Sequence, residues 1–210
     1  LIGELFAHLK ALDLENTVFV VTADHGDLLG ECGLLGHKFV LHDGLIHVPA
    51  VVHGLDSVAD KQDELVQHID IIRTLVEIAG GDTTDFDGID LRNERRTAAL
   101  SQRAADIQGP LSAIQEHDPS FDTGYFDDAA LSSLRTHDFK YQQSSEGDVL
   151  FELPDEQSDV SMSYPDRRDE LKAGLQRRLS EIDSQKLDGE EVEFSDDIRD
   201  QLSDLGYIVE

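Results

Sequence analysis

The stretch TVFVVTADHG (residues 17–26) decides the fold and marks the first candidate site. Its apolar, β-branched part, Val18–Val21, predicts a strand buried on both faces, as in a parallel sheet. Asp24 and His25 follow at the carboxyl end of that strand, and Gly26 predicts a sharp turn after them. A carboxylate oxygen beside an imidazole nitrogen suits a divalent metal ion. On these residues alone, the alternative that Asp24 only caps a following helix stays open.

The elements around this stretch predict an α/β domain. Helices are predicted at residues 1–12 and 67–79, a second buried strand at 48–52, and a long glycine-rich loop at 24–43. This alternation is typical of a mainly parallel sheet flanked by helices, in which ligands bind beyond the carboxyl ends of the strands. The buried face of the second helix is predicted from its apolar side chains at helical spacing, which are Ile69, Ile72, Val76 and Ala79.

After about Arg92 the pattern changes to short elements. Residues 95–105 are predicted as a short helix, and residues 108–123 as irregular chain. Three short strands of a small antiparallel unit are predicted at residues 131–135, 139–142 and 149–153. An amphipathic helix is predicted at residues 166–182, with its leucines on one face.

The charge balance indicates a salt-rich environment. The 210 residues include 45 Asp and Glu against 17 Lys and Arg, a formal net charge of −28. Such a charge repels itself in dilute buffer, whereas about 1 M salt shortens the Debye length to about 3 Å. Because the acids are spread along the whole chain, we expect a halophilic protein, from a halophilic archaeon. Nothing resembles a basic stripe, so nucleic-acid binding is not expected, and a cytoplasmic location is the default.

Other global features restrict the class of protein further. With a single cysteine, Cys32, no internal disulfide is expected, and no apolar run reaches the roughly 20 residues that span a bilayer. We therefore expect no membrane partner, while the oligomeric state is not indicated. The chain starts at Leu1 and its only methionine is Met162, so we expect a truncated product or fragment.

A second candidate site lies at Gly36-His37-Lys38. Lys38 offers a compact cation with three donors, which suits an oxyanion. His37 can bind the same anion or protonate a leaving oxygen near neutral pH. A solvated lysine beside a loop histidine is the ordinary alternative. His42 and Asp43 are a candidate pair behind the ligands, although packing or surface placement is the more common role for such residues.

Four sequence blocks, taken together in their order and spacing, give a more specific signal than the motif at Asp24-His25 or the motif at Gly36-His37-Lys38 alone. They are TADHGDLLGECGLLGHK, LHDGLIHVPAVV, QHIDIIRTLVEIAG and FDGIDL, all within residues 17–91. Together they resemble the C-terminal half of the sulfatase family, in the alkaline-phosphatase-like superfamily. LRTHDFKY followed by VLFELPDE resembles the C-terminal subdomain of that family. The resemblance extends over nearly the whole chain.

The resemblance implies a metal-dependent sulfuric ester hydrolase. Asp24 and His25 match the later pair of metal ligands, and the metal implied is Ca²⁺, with Mg²⁺ or Mn²⁺ as alternatives. Lys38 or His37 matches the basic residue that contacts the sulfate group, and the loop length leaves open which of them does so. The implied substrate is a small-molecule or carbohydrate sulfate ester. In the family, the nucleophile is a formylglycine made from cysteine or serine.

Two family features are absent from this sequence. The formylglycine signature C-x-P-S-R does not occur, because Cys32 is followed by Gly-Leu-Leu-Gly, and the early acidic metal ligands have no counterpart. We therefore predict that this chain holds half of a metal site, has no nucleophile, and is inactive by itself. A phosphodiesterase or phosphonate hydrolase of the same superfamily, and a non-catalytic remnant of the fold, stay open as alternatives.

The resemblance also implies a domain organisation. Residues 1–92 are predicted as the C-terminal part of the α/β catalytic domain and residues 93–184 as a small antiparallel α+β subdomain. Residues 185–210 are predicted as an acidic linker and a terminal helix. That helix is expected to begin at Ser195 and to end near Leu205.

Overall fold

The structure is a computed structural model that describes residues 2–12, 17–55, 58, 64–105, 107–126, 128–184, 198 and 201. The chain divides into two compact units, residues 1–176 and residues 177–210. In the second unit the structure describes the end of one long helix and two further helical residues, 198 and 201. The predicted linker and terminal helix otherwise lie outside the described residues. The predicted boundary between residues 92 and 93 stays a prediction.

The described part of the chain is a mixed α/β fold, as the sequence predicts. The helices are α1 (Ile2–Ala11), α2 (Asp43–Ile46), α3 (His68–Ile78), α4 (Gln108–His117) and α5 (Pro165–Ser184). The strands are β1 (Phe19–Val21), β2 (Leu28–Leu29), β3 (Leu35–Gly36), β4 (Val51–His53), β5 (Ala99–Arg103), β6 (Leu131–Arg135), β7 (Phe139–Gln143) and β8 (Asp148–Glu152). No helix among the described residues is both long and apolar enough to cross a membrane.

The strands form three sheets, and every strand pair among the described residues is antiparallel. β1 pairs with β4, with Val20 opposite Val52, and β2 pairs with β3 in a short hairpin. β5 to β8 form one sheet in chain order. β1 and β4 are therefore not an example of the mainly parallel pairing predicted for this domain. The predicted burial on both faces is wrong here, since β1 is half-buried and Val51 and His53 of β4 are exposed. A β-branched apolar run carries no information on the direction of the neighbouring strand.

Two segments of the second half differ from the prediction. The segment predicted as a helix at residues 95–105 contains β5, and the segment predicted as irregular contains α4. β5 pairs with β6 from Ala99 opposite Arg135 to Arg103 opposite Leu131, so a tertiary partner overrides the weak local helix signal. The three strands and the long helix predicted after residue 130 are confirmed.

The core that supports the first candidate segment joins the β2–β3 hairpin, α2 and α4. Its buried side chains are Leu28, Leu34, Phe39, Leu45, Ile107, Leu111 and Phe126. The Phe39 and Phe126 rings lie 5.7 Å apart between centroids, at a tilt of 54°. The segment predicted as one long loop, residues 24–43, thus contains a hairpin whose apolar side chains hold it against the rest of the fold.

The sheet of β5 to β8 is tied to α5 by an ion cluster at Asp148. Its carboxylate accepts hydrogen bonds from Lys172 Nζ at 2.9 Å and from Arg168 Nε at 3.1 Å. These two hydrogen bonds lower the pKa of Asp148 from an ordinary value of 3.8 to about 2. Because the folded-state pKa lies below the unfolded one, the stabilisation is present above about pH 4 and is lost as the pH falls towards 2.

We expect Asp148→Asn to lower the free energy of unfolding at neutral pH, and the difference from the native chain to shrink as the pH falls below about 4. Urea unfolding of both chains between neutral and acid pH measures this difference. Asp85→Asn is the matched control, because Asp85 is exposed and has no described hydrogen bond. A difference that does not change with pH would contradict the assignment of the low pKa to Asp148.

Candidate functional site

The loop after β1 is fixed against the backbone of α2. Gly26 donates its N–H to the Leu45 carbonyl oxygen at 2.8 Å. A Cβ atom at Gly26 would collide with the carbonyl oxygen of Gly44. This close approach, rather than a left-handed backbone, is therefore what requires glycine here. The contact sets the direction in which Asp24 and His25 leave the strand.

Asp24 and His25 place an oxygen and a nitrogen side by side. His25 Nδ1 lies 2.8 Å from the Gly26 carbonyl oxygen, which only accepts, so Nδ1 carries the hydrogen and Nε2 of the neutral ring keeps its lone pair. That Nε2 lies 3.7 Å from Asp24 Oδ2. Since metal bonds to nitrogen and oxygen are about 2.0–2.5 Å long, two atoms at this separation can bind one ion. A ring oriented by a backbone carbonyl is also the usual arrangement behind a metal-binding histidine.

The hairpin adds two further polar side chains to this corner. Leu28 pairs with Gly36, so Asp27 and His37 lie opposite each other at the open end of the hairpin. His37 Nδ1 lies 3.2 Å from Asp27 Oδ1, and the His37 ring stacks on that of His25 with centroids 4.4 Å apart. One ligand atom from each of His25, Asp27 and His37 lies within 4.8 Å of the others. These residues therefore supply a donor set of two nitrogens and one carboxylate oxygen.

All four predicted site residues line one cavity of about 650 Å³, and they are Asp24, His25, His37 and Lys38. Lys38 is exposed on its wall, and no hydrogen bond or ion pair to another described residue is seen for its ammonium group. The fold thus brings together a metal-compatible corner and a cation suited to an anionic group. Their individual roles stay predictions.

The cavity has further lining residues that sequence reasoning missed. Gln67 and His68 at the start of α3 and Gln102 on β5 also line the cavity. His68 Nε2 lies 2.9 Å from the Ala23 carbonyl oxygen and 3.3 Å from the Thr22 hydroxyl. The helix start carried a detectable signal, because Gln67 and Asp70 form a capping box. The contribution of β5 has no such signal, because the local pattern of residues 95–105 predicts a helix.

The pair His42 and Asp43 has a structural role. His42 caps α2, since its Nδ1 accepts the N–H of Gly44 at 2.9 Å. The Asp43 carboxylate accepts hydrogen bonds from Arg135 Nε at 3.0 and 3.2 Å. These contacts support a packing role for His42 and Asp43 and not a role directly behind the metal ligands.

Comparison with known proteins adds the family. Residues 1–81 match the Sulfatase family model. Arylsulfatase K of Canis lupus familiaris is 26% identical over 195 residues, which cover 87% of this chain and 34% of that protein. Choline-sulfatase of Rhizobium meliloti (strain 1021) is 30% identical over 126 residues, which cover 55% of this chain and 24% of that protein. Residues 1–81 are therefore similar to the Sulfatase family domain.

Solved structures support the same fold. The structure described as BT4656 in complex with its substrate D-glucosamine-2-N,6-O-disulfate covers 90% of this chain and 40% of its own, with a TM-score of 0.64 and 20% identity. Phosphonate monoester hydrolase of Agrobacterium radiobacter covers 88% of this chain and 38% of its own, with a TM-score of 0.62 and 24% identity. At these identities the likeness shows the fold alone, which is the alkaline-phosphatase-like fold of sulfatases.

The sulfatase-like chain is short beside its relatives. It spans about a third of the length of the arylsulfatase K and about a quarter of that of the choline-sulfatase. The activity of a whole sulfatase is therefore a proposal for this chain.

Proposed function

We propose that this chain belongs to a metal-dependent hydrolase of sulfate monoesters, with a small-molecule or carbohydrate sulfate as substrate. The observation that carries the proposal is the 3.7 Å separation of Asp24 Oδ2 and His25 Nε2 on the wall of the cavity that Lys38 also lines. The relatives add support. One curated relative is a choline-sulfatase, and one structural neighbour contains a disulfated glucosamine as its substrate.

The chemistry of the site follows from its donor atoms. Asp24 and His25 would hold the metal, which when bound polarises the ester and lowers the pKa of a nucleophile. Lys38 would neutralise charge on the sulfate oxygens as a point charge with three donors. His37, whose Nδ1–H donates to Asp27, would use a protonated Nε2 to bind the anion or to give a proton to the leaving oxygen.

The metal assignment predicts a loss of affinity in Asp24→Asn. We expect the native chain to bind Ca²⁺, with Mn²⁺ as a second probe, and the variant to lose more than about 10–100-fold, the loss usual for groups that only support a ligand. Isothermal titration in concentrated KCl measures both ions. Asp118→Asn is the control, because Asp118 is exposed on a turn and does not line the cavity. Equal affinities of the native chain and Asp24→Asn would contradict the role of Asp24.

A second candidate function is phosphonate or phosphodiester hydrolysis, which the similarity to two phosphonate monoester hydrolases favours. Titration of the metal-loaded chain with inorganic sulfate and with inorganic phosphate distinguishes the two functions by comparing the two affinities. Tighter binding of sulfate, weakened in Lys38→Met and unchanged in the control Lys10→Met, supports the sulfatase. Tighter binding of phosphate supports the alternative, and loss in His37→Ala rather than in Lys38→Met would assign the anion to His37.

The finer parts of the proposal concern the source and state of the chain. We propose Ca²⁺ as the resident ion and a salt-rich cytoplasm as the environment, the latter supported by the net charge of −28. We also propose that the chain by itself does not turn over sulfate esters, because the sequence contains no formylglycine signature. An assay with 4-nitrophenyl sulfate checks this, and measurable turnover that Asp24→Asn abolishes would overturn it.

A further inference from the structure

Four buried charged side chains lie behind the segment that carries His37 and Lys38. We call them the buried tetrad, and they are Asp43, Arg135, Lys140 and Glu156. The side chain of Lys140 is fully buried, and those of Glu156, Arg135 and Asp43 are 3%, 12% and 18% exposed. They come from α2, β6, β7 and the chain after β8, so the tetrad joins the four-stranded sheet to the start of α2.

The tetrad makes hydrogen bonds to the backbone of this segment. Lys140 Nζ donates to the Leu41 carbonyl oxygen at 2.6 Å and also bonds to the Glu156 carboxylate. Glu156 Oε1 accepts the N–H of Asp43 at 2.8 Å. Leu41 lies three residues after Lys38, so the sheet holds the chain close to the cavity wall.

The charges of the tetrad balance. Arg135 Nη2 lies 2.9 Å from Asp43 Oδ2, and Lys140 Nζ lies 3.6 Å from Asp43 Oδ1. Burial acts to raise the pKa of the Asp43 carboxyl, but the hydrogen bond from Arg135 and the charge of Lys140 outweigh it, and the pKa is lowered. Two cations thus face two carboxylates, and removing one member leaves an uncompensated charge in a buried place.

Other contacts of residues 37–42 are made by side chains, among them the His37 contacts with Asp27 and His25 and the His42 cap of α2. These residues lie between the end of β3 and the start of α2, in neither a helix nor a strand. Phe39, at φ 81°, and Leu41 anchor the segment by burial in the core. Unlike these side-chain contacts, the hydrogen bonds at Leu41 and Asp43 hold the backbone itself.

We propose that Lys140 and Glu156 are positioning residues, which fix the backbone of residues 38–43 and so hold Lys38 at the cavity wall. The anion-binding part of this inference rests on the proposed function, whereas the fixing of the backbone does not. The four-stranded sheet then supports the site through charged groups that contact no substrate.

Three variants test this proposal. Lys140→Met removes the Lys140 charge and the hydrogen bond to Leu41. Lys140→Met/Glu156→Gln also removes the Glu156 charge, so the remaining charges of Asp43 and Arg135 balance. Asp148→Asn is the matched control. It weakens the contact of the same sheet with α5, away from the tetrad. The measurements are amide hydrogen exchange at residues 38–46, inorganic sulfate affinity, and the free energy of unfolding.

In Lys140→Met we expect faster exchange at the Asp43 amide and sulfate affinity lowered about 10- to 100-fold, as for a misplaced binding group. The double variant recovers stability but not sulfate affinity, because the Leu41 carbonyl is still without its donor. Asp148→Asn loses stability and keeps its sulfate affinity and its exchange at Asp43.

Two results would overturn the proposal. One is a sulfate affinity that follows stability alone across the three variants, which is the behaviour of a purely structural ion pair. The other is unchanged exchange at residues 38–46 in a folded Lys140→Met. If the native chain binds no sulfate, the proposed role of Lys38 fails, and the exchange measurement still decides whether the tetrad fixes the segment.

Discussion

Replacing Asp70 with alanine is expected to lower the free energy of unfolding by about 3–5 kcal/mol, the cost of breaking a buried ion pair from one side. The side chains of Asp70 and Arg96 are 0% and 3% exposed, and Arg96 Nε donates to Asp70 Oδ2 at 2.6 Å. The same carboxylate accepts the N–H groups of Gln67 at 2.8 Å and Ile89 at 2.9 Å. Alanine would leave one buried guanidinium and two backbone donors without their acceptor.

Urea unfolding separates the contribution of the ion pair to the free energy of unfolding from that of packing. It compares the native chain with Asp70→Ala and with the double variant Asp70→Leu/Arg96→Met. The double variant should lose less than Asp70→Ala, because it leaves no unpaired charge. Asp85→Ala, at an exposed position, should stay within about 0.5 kcal/mol of the native chain. A loss below about 1 kcal/mol in Asp70→Ala would show that water reaches Arg96.

Salt is expected to stabilise the fold strongly. With a net charge of −28, raising KCl from about 0.1 M to about 1 M shortens the Debye length from about 10 Å to about 3 Å and screens the repulsion. We expect a gain of about 3 kcal/mol in the free energy of unfolding, a rise in Tm of roughly 6–12 °C for a chain of this size. Thermal unfolding at increasing KCl measures it.

A variant with fewer charges provides the control for the salt effect. Exposed acids without a described hydrogen bond can be neutralised together, as Asp85→Asn, Asp87→Asn, Glu116→Gln and Asp169→Asn. If repulsion is the cause, this variant is more stable at low salt and gains less from KCl. An equal gain in both chains would assign the effect to general salting-out instead.

The helices and the late strands could be predicted because their signals are local. α1, α3, α5 and the strands β6 to β8 follow from apolar spacing within a few residues of chain. The direction of β4 against β1 could not be predicted, since pairing depends on chain that is distant in sequence. β5 shows the same limit, because its hydrogen-bonded partner β6 begins some 30 residues later.

The buried face of α3 shows where hydrophobic patterning was wrong. Ile69 and Ile72, predicted as buried, are 43% and 51% exposed, while Asp70, Ile71 and Thr74 are buried. A polar face is buried here because each polar group has a partner. Thr74 Oγ1 donates to the Asp70 carbonyl oxygen at 2.7 Å and accepts the N–H of Leu91 at 2.9 Å. Apolar spacing carries no information on such partners, which come from residues about 20 positions away.

For the candidate site, the sequence by itself determined the chemistry, and the tertiary structure decided the assembly. The motif at residues 22–26 and the resemblance to sulfatases named Asp24, His25, His37 and Lys38, because donor type and chain order are written in the sequence. Only the fold set His37 against Asp27 and brought α3 and β5 to the same cavity. Only the fold, too, buried Lys140 behind Leu41. These contacts join residues up to about 100 positions apart, and such distances are closed by packing, which no local pattern specifies.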